Sequence, residues 1–189
     1  LKKLLVLFNN SVRECSRYLK GDAMDSNNHP MVSAHPFLGE IKLPWEAGLS
    51  LLCTAGYGSE NGSNYHCDIF NAYYALDFDR PWEGSTEPET KILAIAEGRI
   101  DFIGNNPTSF GLYIKVFHES NGAGLHIVSL YAHLKRLAKG IKKGQHVRQG
   151  QSIGLLGETG KAAGPHLHFQ LLINDGCLKD TVGAKPEPM

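Results

Sequence analysis

Lys91-Ile92-Leu93-Ala94-Ile95-Ala96-Glu97-Gly98-Arg99-Ile100-Asp101-Phe102-Ile103 reads as two short apolar strands joined at Glu97-Gly98. Toward the C-terminus the same texture continues. Leu112 to Phe117 and Leu125 to His133 read as strands, with Asn121-Gly122-Ala123-Gly124 supplying the hairpin loop between them. From Ile141 to Leu156, glycines 144, 150, 154 and 157 surround Val147 and Ile153, a spacing that suits very short strands turning sharply. A last strand, His166 to Ile173, follows the turn Gly160 to Pro165. With no strong amphipathic helix in the body, the chain is expected to be mostly β, an antiparallel sheet domain.

Toward the N-terminus the strand texture begins at Leu43-Pro44-Trp45. Before it, Leu4, Leu5, Leu7, Phe8 and Val12 make a short helical pattern, followed by a loop-like run from Gly21 to Pro30. Three parts are therefore expected: a partly helical N-terminal arm or pro-segment at 1–42, a β domain at 43–176 and a tail at 177–189. Lys2 to Phe8 has the charge and greasiness of a secretory start, but Asn9-Asn10 stop it short of the ~7–15 apolar residues such a signal needs. It reads as an amphipathic arm or the remnant of a longer precursor.

Composition narrows the function. The 189 residues, 42% of them hydrophobic, suit one compact domain with an appended arm. Nineteen Lys and Arg balance nineteen Asp and Glu, so no broad basic field exists to gather nucleic acid or an anionic membrane. No apolar run approaches the ~18–20 residues of a membrane span. The four cysteines contain no Cys-x-x-Cys pair, which argues against a cysteine-rich zinc knuckle. Cys53 and Cys67 bracket a polar loop, and a disulfide or two separate thiols are both open readings. The oligomeric state is not legible.

The nine histidines direct attention to metal chemistry. In His166-Leu167-His168-Phe169 the two-residue period of a strand puts both imidazoles on one face and Leu167 and Phe169 on the other. Tyr131-Ala132-His133 ends another strand with a histidine. Asp77 stands between Leu76 and Phe78, where a carboxylate is costly to bury unless paired or bound to a cation. Two histidines and one aspartate make a hydrolytic zinc set with a fourth position for water, and further neutral histidines can move its proton.

Tyr74-Ala75-Leu76-Asp77-Phe78, Tyr131-Ala132-His133-Leu134, the glycine-punctuated Gly150 to Gly160 and Gly164-Pro165-His166-Leu167-His168-Phe169 occur here in the order seen in the lysostaphin/LytM-type zinc metallopeptidases, which residues 43 to 175 resemble. The resemblance implies a LytM-like duplicated hybrid β fold, Asp77 and His168 as ligands of Zn2+, and His133 and His166 as non-ligand catalytic histidines. The family commonly places its first histidine ligand as His-x3-Asp, and that position here is Tyr73. His66, eleven residues before Asp77, is the expected ligand, brought back by a looped insertion, with His35 or a vacant position as the other readings. Asp79 is a possible acceptor for a ligand histidine, though it more simply starts the turn at Arg80-Pro81.

His118 and His126 are read as solvated or hydrogen-bonded to backbone, and His146 as part of a basic turn. The implied activity is a zinc endopeptidase cutting peptide cross-links of bacterial peptidoglycan outside the cytoplasm. Its alternative is a non-catalytic LytM-like module that binds or regulates wall hydrolases. A swinging-arm or phospho-carrier domain with Lys161 at a hairpin tip is the third reading, weakened by the lack of an acidic neighbour.

Overall fold

The computed structural model describes residues 41–56, 66, 75–81, 89–118 and 127–173, and every regular element among them is a β-strand. The N-terminal arm to residue 40, the 121–124 loop and the 177–189 tail lie outside the described residues. Seven strands form one antiparallel sheet. In spatial order they are β1 (Leu52–Ala55), β2 (Leu76–Asp79), β10 (Leu167–Ile173), β6 (Ile127–Ala132), β5 (Gly111–His118), β4 (Gly98–Asn106) and β8 (His146–Val147). A second sheet pairs β3 (Lys91–Leu93), β9 (Ser152–Leu155) and β7 (Arg136–Leu137), with β9 in the middle.

The 91–103 stretch does break at Glu97-Gly98, but not as a hairpin. Its halves join different sheets, and Ala94, Ile95 and Ala96 between them are buried as the chain crosses the core. The crossing is held by hydrogen bonds: Lys42 N–H donates to Ile95 O at 3.0 Å, and Ile95 N–H to the Tyr131 hydroxyl, also at 3.0 Å. Packing thus reaches back to Ile41, just ahead of the expected boundary at 43.

The main core lies between the two sheets. Ile92 and Ile153 from the small sheet meet Leu76, Phe78, Ile100, Ile114, Tyr131, Leu167 and Phe169 from the large one. Each such side chain withdrawn from water contributes roughly 1.5–3 kcal/mol. Period two then dictates what the other face of the large sheet carries. Leu76 and Phe78 point inward, so Asp77 and Asp79 point outward; Leu167 and Phe169 point inward, so His168 and Gln170 point outward. Tyr113, Leu130 and Ala132 form a smaller apolar cluster on that outer face, flanked by Phe110 and Leu172. The register sets the polar residues side by side, with Asp77 opposite His168 on β10 and His168 opposite Ala132 on β6.

Candidate metal centre and histidine cleft

Directly paired residues on antiparallel strands share a face, so the β2–β10 register alone brings Asp77 to His168. His168 Nδ1 lies 2.9 Å from Asp77 Oδ1. From outside the sheet, His66 brings Nε2 to 3.2 Å from the same oxygen. The three donor atoms lie within 4.8 Å of one another.

The hydrogen bonds behind these rings set their tautomers. His66 Nδ1–H donates to Gly56 O at 2.8 Å, which leaves a lone pair on Nε2. That nitrogen is buried, and its contact with Asp77 is off the line of a hydrogen bond, so it has no hydrogen-bond partner. A buried, unpartnered imidazole nitrogen is costly, and a cation shared with Asp77 and His168 removes the cost. On the far side of His168, Gln170 Oε1 sits 3.4 Å from Nε2 and can take its N–H, freeing Nδ1 to face the carboxylate. The donor set therefore fits a metal ion.

Electrostatics agree. Burial alone would raise the Asp77 carboxyl, but the neighbouring imidazoles of His168 and then His66 outweigh it and hold the group well below the usual carboxylate range. Burial would lower His66, yet Asp77 beside it more than offsets this. The site attracts positive charge.

Two more imidazoles complete the cleft. His133 follows β6 with φ at +59°, the left-handed region that few non-glycine residues adopt. Its backbone N–H donates to Phe110 O at 2.9 Å, and its Nδ1–H donates to Thr159 O at 2.8 Å. His166, just before β10, donates Nδ1–H to Gly164 O at 2.8 Å, and its Nε2 stands 3.8 Å from Asp77 Oδ2. The two rings are 4.6 Å apart between centroids. Burial pushes His133 down to about 4, so the ring is neutral at pH 7 with its lone pair on Nε2. Phe110 covers one side of His168, with ring centroids 5.3 Å apart. The cleft measures about 300 Å³ and is completed by Thr108, Ser109, Lys161 and Ala163.

All five expected site residues, His66, Asp77, His133, His166 and His168, line this one cleft. Other groups lie elsewhere. His118 is buried and far from solvent, its Nδ1–H donating to Glu97 O at 2.7 Å and its Nε2 2.8 Å from Ser129 Oγ; the backbone half of its expected role holds and the solvated half does not. His146 is exposed on β8. Asp79 shares the face of Asp77, and its influences are burial, which raises it, and then the charge of His166 and a hydrogen bond from Thr54. Tyr113 and Tyr131 are core residues. Cys53 is a free thiol; Cys67, His29, His35 and His126 fall outside the described residues. Sequence reading overlooked Gln170 and the Gly56 carbonyl, and it placed Thr159 in the Gly150 to Gly160 motif without giving it a role.

An antiparallel β domain bearing two imidazoles and a carboxylate around one point, with two further histidines beside them, has the donor chemistry of a hydrolytic metal site. The chain belongs to peptidase family M23, whose model matches residues 82–179. The match contains His133, His166 and His168, while His66 and Asp77 lie upstream of it.

Among individual proteins, the chain is 36% identical over 85 residues to the peptidoglycan DD-endopeptidase ShyC of Vibrio cholerae, covering 45% of this chain and 18% of that one. It is 35% identical over 99 residues to the DD-carboxypeptidase/endopeptidase Mpg of Neisseria meningitidis, covering 52% and 21%. The chain thus spans about a fifth of the length of the curated relatives it matches. Among solved structures, lysostaphin, the antimicrobial peptidase from Staphylococcus simulans, aligns with a TM-score of 0.51 at 27% identity, over 72% of this chain and 47% of that one. Family membership removes the carrier-domain reading, and family and donor set together imply a bound metal ion.

Proposed function

We propose that this chain is the catalytic part of a zinc-dependent metalloendopeptidase that hydrolyses peptide cross-links of bacterial peptidoglycan outside the cytoplasm. The domain is assigned to residues 43–176, with 1–42 as an arm or pro-segment and 177–189 as a tail. The observation that carries the reading is the buried, unpartnered Nε2 of His66, converging with Asp77 and His168 beside two imidazoles. The DD-endopeptidases among its relatives support the substrate class. No helix among the described residues is long and apolar enough to cross a membrane.

His66 Nε2, the Asp77 carboxylate and His168 Nδ1 would hold the zinc ion, whose contribution is Lewis acidity and a lowered pKa for water. The chain's own residues do the rest. His133 and His166 keep their Nδ1–H on backbone carbonyls, so each has Nε2 for proton transfer. One imidazole takes the proton of the attacking water on Nε2, and that same proton passes to the leaving amine as the C–N bond breaks, with the second imidazole beside it as the neighbouring acceptor. Thr108, Ser109 and Phe110 line one side of the cleft, with Phe110 against the His168 ring.

The test is digestion of purified peptidoglycan with and without chelator, followed by chemical identification of the released ends. New amine and carboxyl termini at the peptide cross-links, lost on chelation and restored by zinc, are expected. Glycan products, or chelator-resistant cutting, would overturn the proposal.

A further inference from the structure

We propose that Thr159 is the positioning residue that sets the tautomer of His133, and through it the lone pair that His133 presents to the cleft. The assignment rests on the reading of His133 as a proton-transferring group. Which ring nitrogen of a histidine carries the proton is decided by what the other nitrogen bonds. For His133 that partner is the carbonyl of Thr159, an acceptor only, so Nδ1 must hold the proton.

A backbone carbonyl can do this only if its segment is held, and the Thr159 side chain holds it. Its hydroxyl donates to Leu134 O at 2.9 Å and accepts from Leu112 N–H at 2.9 Å. One side chain thereby joins the residue after His133 to the start of β5. Leu134 N–H donates to Leu112 O at 2.9 Å and closes the triangle.

The fit admits no slack. A Cβ on Gly111, whose φ is +58°, would lie 2.3 Å from the Thr159 carbonyl carbon and oxygen. A Cβ on Gly160, at φ +76°, would lie 2.2 Å from Gly111 N. Lys161 N–H donates to Ser109 O at 2.8 Å and pins the far end of the same loop. His133 itself has φ of +59°, a conformation that persists in a non-glycine residue only when its surroundings enforce it. A residue serving stability alone needs no carbonyl at hydrogen-bond distance from this ring.

The experiment is 15N NMR of histidine-labelled protein, read at the His133 ring, on the full chain with and without added zinc, beside kcat and KM. In the unaltered chain His133 should show a single Nδ1–H tautomer with or without zinc. Thr159→Val, which keeps shape and removes the hydroxyl, should bind zinc one to one, show a mixture of tautomers, and lose kcat by about 10–100-fold with little change in KM. Thr159→Ser should restore both signature and rate.

An Nε2–H tautomer in the unaltered chain overturns the proposal even if no variant folds. So does a Thr159→Val chain with an unchanged ring signature. A chain showing the expected tautomer but cleaving no peptidoglycan refutes the functional reading and leaves the positioning assignment standing.

Discussion

At the scale of single residues, four imidazoles crowd around one carboxylate and still divide their work, because each has its second nitrogen occupied differently. His66, His133 and His166 all give Nδ1–H to a backbone carbonyl and turn Nε2 inward. His168 is reversed: Nε2 faces Gln170 and Nδ1 faces Asp77. This division predicts different phenotypes from similar substitutions. His168→Ala should lose zinc, as measured by elemental analysis of the purified chain. His133→Ala should keep about one zinc per chain and lose cleavage by roughly 100-fold or more, the range of general acid–base catalysis. Equal zinc loss in both variants would break the division.

At the scale of elements, the large sheet works because its two faces obey one alternation. The face toward the small sheet holds the apolar core, and the register of β2 against β10 leaves Asp77 and His168 adjacent on the other. A polar thread also runs through the core. Glu97 O, His118, Ser129, the Tyr131 hydroxyl and Ile95 N–H are linked in series, tying the sheet-crossing segment to β5 and β6. Burial lowers His118, and the hydrogen bond to Glu97 offsets only part of this. The folded pKa therefore lies below the unfolded one, near 6.5. The unfolded chain takes up its proton first as the pH drops, so the stability His118 contributes is whole above pH 6.5 and is lost as pH falls toward its folded pKa. His118→Gln should be less stable than the unaltered chain by about 1–3 kcal/mol at pH 7.5. That gap should narrow by pH 5 in urea unfolding of zinc-free protein. A constant gap would refute the argument.

At the scale of the whole molecule, the metal centre ties together separate parts of the chain: His66 between the first two strands, Asp77 on the second and His168 on the last. A ligand that binds only the assembled fold stabilises it by mass action. Zinc at about a hundred times its dissociation constant should raise the melting midpoint by roughly 5–10 °C over chelated protein. His66→Ala should abolish the increment. A zinc-independent midpoint in the unaltered chain would contradict the assembled site.

The residue pattern by itself determined the antiparallel β class, the outward face of Asp77, Asp79 and His168, and the strand-end position of His133. Those follow from a period of two and from glycine-marked breaks, both of which are local. It did not reveal that 91–103 crosses between two sheets, because a break in a strand pattern is the same whether the chain turns back or passes through the core. Nor did it give a role to Thr159, whose partners are at Leu112 and His133–Leu134. His66 shows the division: with the His-x3-Asp position occupied by Tyr73, the pattern could nominate His66 only beside other readings, and the close approach of Gly56, His66 and Asp77 is what brings an imidazole to the carboxylate. Spacing along a chain encodes neighbours within a strand, whereas a metal site is made of neighbours through space, and the tertiary fold alone decides those.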